Sequence, residues 1–302
     1  MSTRVASRRE PTDIRLMRSC LQHWPFPRGK GVLLRVFEPR LRDRDFLMEV
    51  EPGILIPAKL DDYMSLWCFL GEQKKDAAFQ LSQSLIRPGD TVIDAGANIG
   101  LWVMGAARRA SREGKSYAFE PVPANFSSLT SNLRLNGLDQ QVRCEQLGLS
   151  DKCGAAIIYA TSNGNSGGAA LAQRVGVDKP IDITLTTLDR YCEAQEIDRV
   201  DFLKVDIEGA ELLVFRGATR VLASPQAPAI VFEVSDKLAI SFNSSATIVK
   251  EFLHLHGYDI FRYDGKRLQQ VALDENHEYE DLFAFKPYHF QKYLTLNSLL
   301  AQ

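Results

Sequence analysis

The sequence predicts an α/β protein built on a mostly parallel β-sheet, and three observations predict it. From residue 88 onward, short and nearly continuous apolar runs alternate with segments of helical periodicity. Such runs are typical of parallel strands that helices cover on both faces. A glycine-rich turn, "AGANIG", joins the first of these strands to its helix. The last two strands follow one another without an obvious helix between them, which predicts an antiparallel pair at one edge.

The elements of this sheet can be assigned in chain order. The predicted strands and helices are "TVIDAG", the helix "NIGLWVMGAARRA", "SYAFEP", the helix "PANFSSLTSNLRLNG", "VRCEQLGLS", "VDFLKVDIEG", the helix "AELLVFRGATRVLA", "APAIVFEVS", a helix near "SATIVKEFLHLHG", and the edge pair "YDIFRYDG" and "EDLFAFKP". Between residues 150 and 189, "AAIIYA" and "IDITLTT" predict two further strands around the loop "SNGNSGG".

Residues 1–75 precede this alternation and differ from it. They contain three strand-like runs, "GVLLRVF", "DFLMEV" and "GILIPA". We therefore expect a β-rich N-terminal extension over residues 1–75, acting as a preface or lid, followed by one larger domain over residues 76–302.

Composition limits the classes of partner. The chain of 302 residues has a net charge of −2, so no overall field favours nucleic acid or acidic membranes. No apolar run approaches the roughly 18 residues that span a bilayer, and the Arg-rich start lacks the apolar stretch of a secretory signal. The five scattered cysteines favour reduced thiols in the cytoplasm and no structural zinc. We expect a small-molecule substrate and neither a nucleic-acid nor a membrane partner; the oligomeric state is not indicated.

The glycine-rich turn does not match the dinucleotide pattern G-x-G-x-x-G. Counted from Gly96, the second glycine position holds Asn98 and the third holds Leu101. The Gly-Lys-Ser/Thr ending of a phosphate-binding loop is also absent. Asp94 lies two residues before Gly96, where its charge would disfavour a phosphate and attract an amine. The turn therefore argues against a nicotinamide-dependent oxidoreductase.

S-adenosylmethionine meets these constraints, because it carries an ammonium, a sulfonium and a ribose but no phosphate. We expect Gly96 to let the turn pass close under this ligand and Asp94 to attract the ammonium. Glu120, at the end of the second strand, can accept hydrogen bonds from both ribose hydroxyls, although a solvated acid at a strand end is the structural alternative. The predicted cofactor-binding residues are Asp94, Gly96, Ala97, Asn98, Gly100, Glu120 and Asp206.

At this point the chain resembles a family. The stretches "VIDAGANIG", "FEPVPANFSSLTSNLRLNG", "LGLSD" and, most specifically, "DFLKVDIEGAELLVFRGA" followed by "IVFEV" resemble the FkbM-type S-adenosylmethionine-dependent methyltransferases. The resemblance covers about residues 61–234. It implies a seven-stranded, Rossmann-like methyltransferase fold that usually acts on hydroxyl groups of sugars, polyketides or other secondary metabolites.

Methyl transfer to a hydroxyl requires alignment and a group that takes the proton. Alignment can supply about 7–11 kcal/mol of the barrier, and the proton calls for a base or a metal. By period two, Lys204, Asp206 and Glu208 share one side of "DFLKVDIEG", and Glu233 ends the neighbouring strand. Asp206, Glu208 and Glu233 are therefore the catalytic candidates.

A structural network is the alternative for these side chains. In it Lys204 neutralises Asp206 or Glu233, and Glu208 favours the N-terminus of the next helix. No histidine–carboxylate pair supports a metal, and none is predicted. Two other functions stay open: an N-methyltransferase acting on an amine, and a non-catalytic partner subunit that binds S-adenosylmethionine without turnover.

Overall fold

The computed structural model describes residues 10–25, 29–41, 44, 46–58, 63–160 and 179–300. The strands are β1 (Leu47–Glu51), β2 (Ile54–Pro57), β3 (Thr91–Ala95), β4 (Lys115–Phe119), β5 (Val142–Glu145), β6 (Gly148–Leu149), β7 (Gly154–Ala160), β8 (Lys179–Thr186), β9 (Phe202–Val205), β10 (Ala229–Val234), β11 (Asp259–Tyr263), β12 (Leu268–Gln270) and β13 (Glu280–Phe285). The α-helices are α1 (Thr12–Gln22), α2 (Lys30–Leu41), α3 (Tyr63–Phe69), α4 (Ala77–Leu85), α5 (Leu101–Ala110), α6 (Pro123–Leu135), α7 (Leu188–Ala194), α8 (Glu211–Arg216), α9 (Thr219–Ala223), α10 (Asp236–Ala239), α11 (Ala246–Leu255), α12 (Pro287–Lys292) and α13 (Leu294–Leu299).

The main sheet has the order β12-β11-β13-β10-β9-β3-β4-β5. Strands β10, β9, β3, β4 and β5 are parallel, whereas β13 runs antiparallel to both β10 and β11. This confirms the Rossmann-like α/β fold with an antiparallel edge, and the short strand β12 makes an eighth member where seven were predicted. The chain order reverses between β3 and β9, and ligands of such sheets bind at the carboxyl ends of the strands at this kind of switch point.

Helices and loops cover both faces of the sheet. Alternate residues of the same strands enter two apolar clusters: Val92 and Phe202 belong to one, and Ile93 and Leu203 to the other. The first cluster also includes Ile14 of α1, so residues before position 76 share a core with the sheet. The predicted division into 1–75 and 76–302 stays a prediction. None of the described helices is both long and apolar enough to cross a membrane.

The segment "VRCEQLGLS" is not the single strand that was predicted. Its first part is β5 of the main sheet, whereas β6 pairs with β8 in a separate three-stranded sheet of order β6-β8-β7. The predicted strands "AAIIYA" and "IDITLTT" are confirmed as β7 and β8, which pair antiparallel. The loop "SNGNSGG" lies outside the described residues.

The predicted helix "AELLVFRGATRVLA" is two helices, α8 and α9. They separate at Gly217, where a Cβ atom would lie 2.0 Å from the carbonyl oxygen of Ser150. The backbone of the Ser150 segment therefore passes directly against this position and leaves no room for a side chain there.

The N-terminal extension is only partly β, so its predicted β-rich character is wrong for one of the three runs. "DFLMEV" and "GILIPA" contain the antiparallel strands β1 and β2, as predicted. "GVLLRVF" instead lies in α2. Leu33, Leu34 and Phe37 pack against the core, whereas Val32 and Val36 remain exposed. The run is thus an amphipathic helix whose apolar residues happen to be adjacent in sequence.

Candidate active site

A cavity of about 490 Å³ opens where the parallel strands end, at the switch point between β3 and β9. Its wall includes the turn after β3, the residues after β4 and β9, and the end of β10; residues of α3 and α4 cover it from the N-terminal side. Of the predicted site residues, those that line the cavity are Gly96, Ala97, Asn98, Glu120, Asp206, Glu208 and Glu233.

The turn after β3 is held open by backbone geometry. Gly96 has φ +83° and Asn98 has φ 51°, both in the left-handed region. The N–H groups of Gly96 and Ala97 both donate to the carbonyl oxygen of Phe119, at 3.0 Å. A Cβ atom on Gly96 would lie 1.9 Å from the carbonyl oxygen of Asp206. The end of β9 therefore leaves no room for a side chain at Gly96, and the expected close approach of the ligand to this turn stays a prediction.

Glu120 is almost fully buried and faces the turn. Its Oε2 accepts a hydrogen bond from the Asn98 N–H at 2.8 Å, and its Oε1 accepts from the Val122 N–H at 2.9 Å. Burial raises the pKa of Glu120 to about 7, although these hydrogen bonds act in the opposite direction. The backbone therefore fixes this carboxyl group at the cavity wall, which argues against a solvated acid at a strand end.

Lys204 links two predicted site residues. Its Nζ lies 3.3 Å from Asp94 Oδ1 and 3.0 Å from Asp206 Oδ2. Burial would lower the pKa of Lys204, but the two carboxylates raise it above its usual value. The predicted pairing of Lys204 with Asp206 is therefore present, and Asp206 nevertheless keeps 40% of its side chain exposed.

Asp94 and Gly100 are not among the described residues that line the cavity. Asp94 is completely buried, and burial raises its pKa. Gly100 precedes α5 with φ +90°, and a Cβ atom there would lie 2.5 Å from Leu129 Cδ1. A direct contact of either residue with the cofactor is thus not supported: Asp94 acts on the cavity through Lys204, and Gly100 shapes the entry to α5.

The far side of the cavity is acidic. Asp76, Asp206, Glu208, Glu233 and Asp281 all line it, and we call this set the acidic wall. Burial raises the pKa of Asp281 to about 7, and the negative charges of Asp206 and Asp76 add to the shift. Burial also raises the pKa of Glu233 well above its usual value, and the charge of Asp206 adds to it.

The period-two argument for this region holds only as far as Val205, where β9 ends. Glu208 follows in a turn with φ +58°, yet it reaches the same cavity as Lys204 and Asp206. Sequence reasoning missed Asp76 and Asp281. The available signal for Asp281 was its place at the start of the "DLFAF" strand, which the predicted antiparallel edge brings toward "IVFEV".

The hydrogen-bond acceptors that line the cavity fit S-adenosylmethionine. Asn98 Oδ1 and Glu233 Oε2 line it as buried oxygens with no hydrogen-bond partner among the described residues. Carboxylate and amide oxygens accept hydrogen bonds from ammonium and hydroxyl groups, and they would repel a phosphate. No three His, Cys, Asp or Glu residues of the described chain are arranged to hold a metal ion.

Several known proteins resemble this chain. Methyltransferase sdnD of Sordaria araneosa is 33% identical over 42% of the chain, which spans 59% of that protein. The 31-O-demethyl-FK506 methyltransferase FkbM of Streptomyces tacrolimicus is 27% identical over 62% of the chain and 81% of that protein. A crystal structure of methyltransferase FkbM from Methylobacillus flagellatus KT is 15% identical, with a TM-score of 0.42 over 74% of this chain and 55% of that one.

The sequence model of a protein family, the methyltransferase FkbM domain, matches residues 94–260 of this chain. These residues extend from the end of β3 into β11. This range contains the turn, Glu120, Lys204, Asp206, Glu208 and Glu233. A match over more than half of the chain shows that the protein belongs to the FkbM methyltransferase family, whose cofactor is S-adenosylmethionine.

Proposed function

We propose that this protein transfers the methyl group of S-adenosylmethionine to a hydroxyl group of a small molecule, such as a sugar, a polyketide or another secondary metabolite. One observation carries the proposal. The turn after β3, the buried Glu120 and the half-exposed Asp206 line one cavity at the switch point of the sheet. Family membership supports the methyl-transfer chemistry, and the names of two relatives, the FK506 methyltransferase and sdnD, agree with it.

In this proposal the turn and Glu120 hold the cofactor. Glu120 accepts from the ribose hydroxyls through Oε2, which receives only the Asn98 N–H, whereas Val122 and Asn125 both donate to Oε1. Asn98 Oδ1 offers a second buried acceptor from the turn itself. When bound, S-adenosylmethionine supplies an activated methyl group on a sulfonium. The protein then mainly has to align the acceptor, which is the larger contribution to such reactions.

Asp206 is the proposed base. Lys204 donates to its Oδ2, which fixes the carboxylate at the end of β9 and leaves Oδ1 for the acceptor hydroxyl. A positioned base of this kind takes the proton as the new C–O bond forms. Glu208 and Glu233 line the same side of the cavity and are proposed to orient the acceptor.

The N-terminal extension is proposed to act as a lid over the larger domain of residues 76–302. Tyr63, Met64 and Trp67 of α3 line the cavity from outside the sheet. A cover of this kind excludes water from the transfer. Cys20, Cys144, Cys153 and Cys192 form no disulfide bond, which supports the proposed cytoplasmic location.

The experiment that tests the function uses S-adenosylmethionine with an isotope-labelled methyl group. The full chain is incubated with a panel of sugars and polyketides, and NMR locates the label in each product. We expect the label on oxygen. A label on nitrogen would replace this proposal by the N-methyltransferase alternative. Cofactor binding by calorimetry, without transfer to any member of the panel, would favour the non-catalytic partner subunit.

A further inference from the structure

Three carboxyl groups of the acidic wall lie side by side across neighbouring strands. Glu233 of β10 is the register partner of Asp281 of β13. Phe232 pairs with Val205, so Asp206 follows opposite Glu233 at the end of β9. These three residues therefore form a row across the sheet, and Asp76 approaches the row from the start of α4, where its charge acts on Asp281.

Glu233 is the member of this row that needs a ligand. Its side chain is 3% exposed, and Oε2 has no hydrogen-bond partner among the described residues. Glu233 and Tyr279 both line the cavity, so a ligand there can reach this oxygen. An unsatisfied buried carboxylate oxygen costs free energy that a bound donor would recover.

The protein offers little positive charge to this row. Among the described residues that line the cavity, Lys204 is the one with a basic side chain, and it already contacts Asp94 and Asp206. Burial raises the pKa values of Glu233, Asp281 and Asp76, and the charge of Lys204 offsets this only in part at Asp281. A cation bound from outside the protein would balance the negative charge of these carboxyl groups.

We propose that the acidic wall is the acceptor subsite and that it binds a protonated amine, carried by the substrate close to the hydroxyl that is methylated. Glu233 Oε2 accepts a hydrogen bond from this amine, and Asp281 and Asp76 supply further negative charge. An amino sugar or another amino alcohol has the required chemistry. This inference rests on the proposed function, because it names the class of acceptor for the same cavity.

The subsite lies away from the position proposed for the ribose. Glu120 follows β4, whereas Glu233 ends β10, and β3 and β9 lie between these strands. At a spacing of about 4.8 Å per strand, β4 and β10 are about 14 Å apart. The amine subsite and the ribose site are therefore separate parts of one cavity, and substitutions can distinguish them.

The test compares one amino sugar with two neutral sugars of the same skeleton. The full chain is saturated with S-adenosylhomocysteine and titrated calorimetrically with D-glucosamine, D-glucose and N-acetyl-D-glucosamine. We expect D-glucosamine to bind at least tenfold more tightly than either neutral sugar. Glu233→Gln should remove this preference while it changes the affinity for S-adenosylhomocysteine less than twofold. Asp139→Asn, an exposed carboxylate outside the cavity, is the control and should change neither affinity.

The other possible results contradict either the amine subsite or the proposed function. Equal affinity for the three sugars, or no measurable binding of any, would overturn the amine subsite. Glu233→Gln that weakens S-adenosylhomocysteine instead of D-glucosamine would assign Glu233 to the cofactor and overturn it as well. If Glu233→Gln does not fold, Asp281→Asn takes its place with the same expected loss. Failure of the wild-type chain to bind S-adenosylhomocysteine would contradict the proposed function itself.

Discussion

At the scale of single residues, Asp206 combines a contact with Lys204 and a half-exposed position in the cavity. We expect Asp206→Asn to keep the fold and cofactor binding and to lower turnover by roughly 10²–10⁴-fold, the usual contribution of a positioned base. Methyl-transfer rates and calorimetric binding of the cofactor measure this. If Asp206 serves only as a counter-ion for Lys204, the variant will instead melt at a lower temperature and lose activity only in proportion to the unfolded fraction.

Glu120 gives cofactor binding a pH dependence. Because burial raises its pKa to about 7, the free protein loses the ionised, doubly accepting form as the pH falls below that value. We expect the affinity for S-adenosylhomocysteine to fall between pH 8 and pH 6. Glu120→Gln should bind more weakly at pH 8 and show a flatter profile. Calorimetric titrations across this range test the prediction, and a wild-type affinity that rises toward pH 6 would contradict it.

At the scale of elements, the turn after β3 depends on a close approach to β9. Gly96→Ala adds a Cβ atom 1.9 Å from a backbone oxygen, in addition to the cost of a positive φ. Gly89→Ala is the matched control, because Gly89 has φ +85° and nothing within 4 Å of its added Cβ. Both variants bear the left-handed cost of about 1–2 kcal/mol, and the clash adds about 1–3 kcal/mol to Gly96→Ala alone. Urea unfolding measures the difference, and equal losses would contradict the close approach.

The elements that the sequence predicts correctly are those whose own pattern determines them. The central strands β3, β9 and β10 are mostly apolar, and α6 and α11 follow the helical period over ten or more residues. The errors arise where another element decides the outcome. The helix breaks at Gly217, which packs directly against the Ser150 backbone, and β6 pairs with β8 and not with the main sheet. For α2, the spacing of Leu33, Leu34 and Phe37 already fits a helix, but their near-continuity resembles a strand.

At the scale of the whole molecule, the site is predictable where it lies on one strand–turn–helix unit and not where distant segments meet. The turn and Glu120 come from consecutive units, and their spacing alone places them together. The acidic wall combines Asp76 before α4 with Asp281 on β13, some 200 residues later in the chain. Only the insertion of β13 beside β10 brings Asp281 to Glu233. The same close packing buries these carboxyl groups and makes stability depend on pH.

Three buried carboxyl groups predict how the stability of the free protein varies with pH. Burial raises the pKa values of Glu120, Glu211 and Asp281 to about 7, above their values in the unfolded chain. Their contribution to stability is therefore complete below about pH 4 and is lost as the pH rises through 7. His289 acts in the opposite sense, since burial lowers its pKa to about 4, but it is outnumbered.

We therefore expect the melting temperature of the free protein to fall between pH 5.5 and pH 8. Glu211→Gln should flatten this decline without entering the site, because Glu211 accepts hydrogen bonds from the Ile207 and Gly209 N–H groups and lies outside the cavity lining. The glutamine oxygen can accept the same two bonds but has no proton to lose. Calorimetric scans across this range measure both profiles. A melting temperature that rises with pH in the wild type would contradict the prediction.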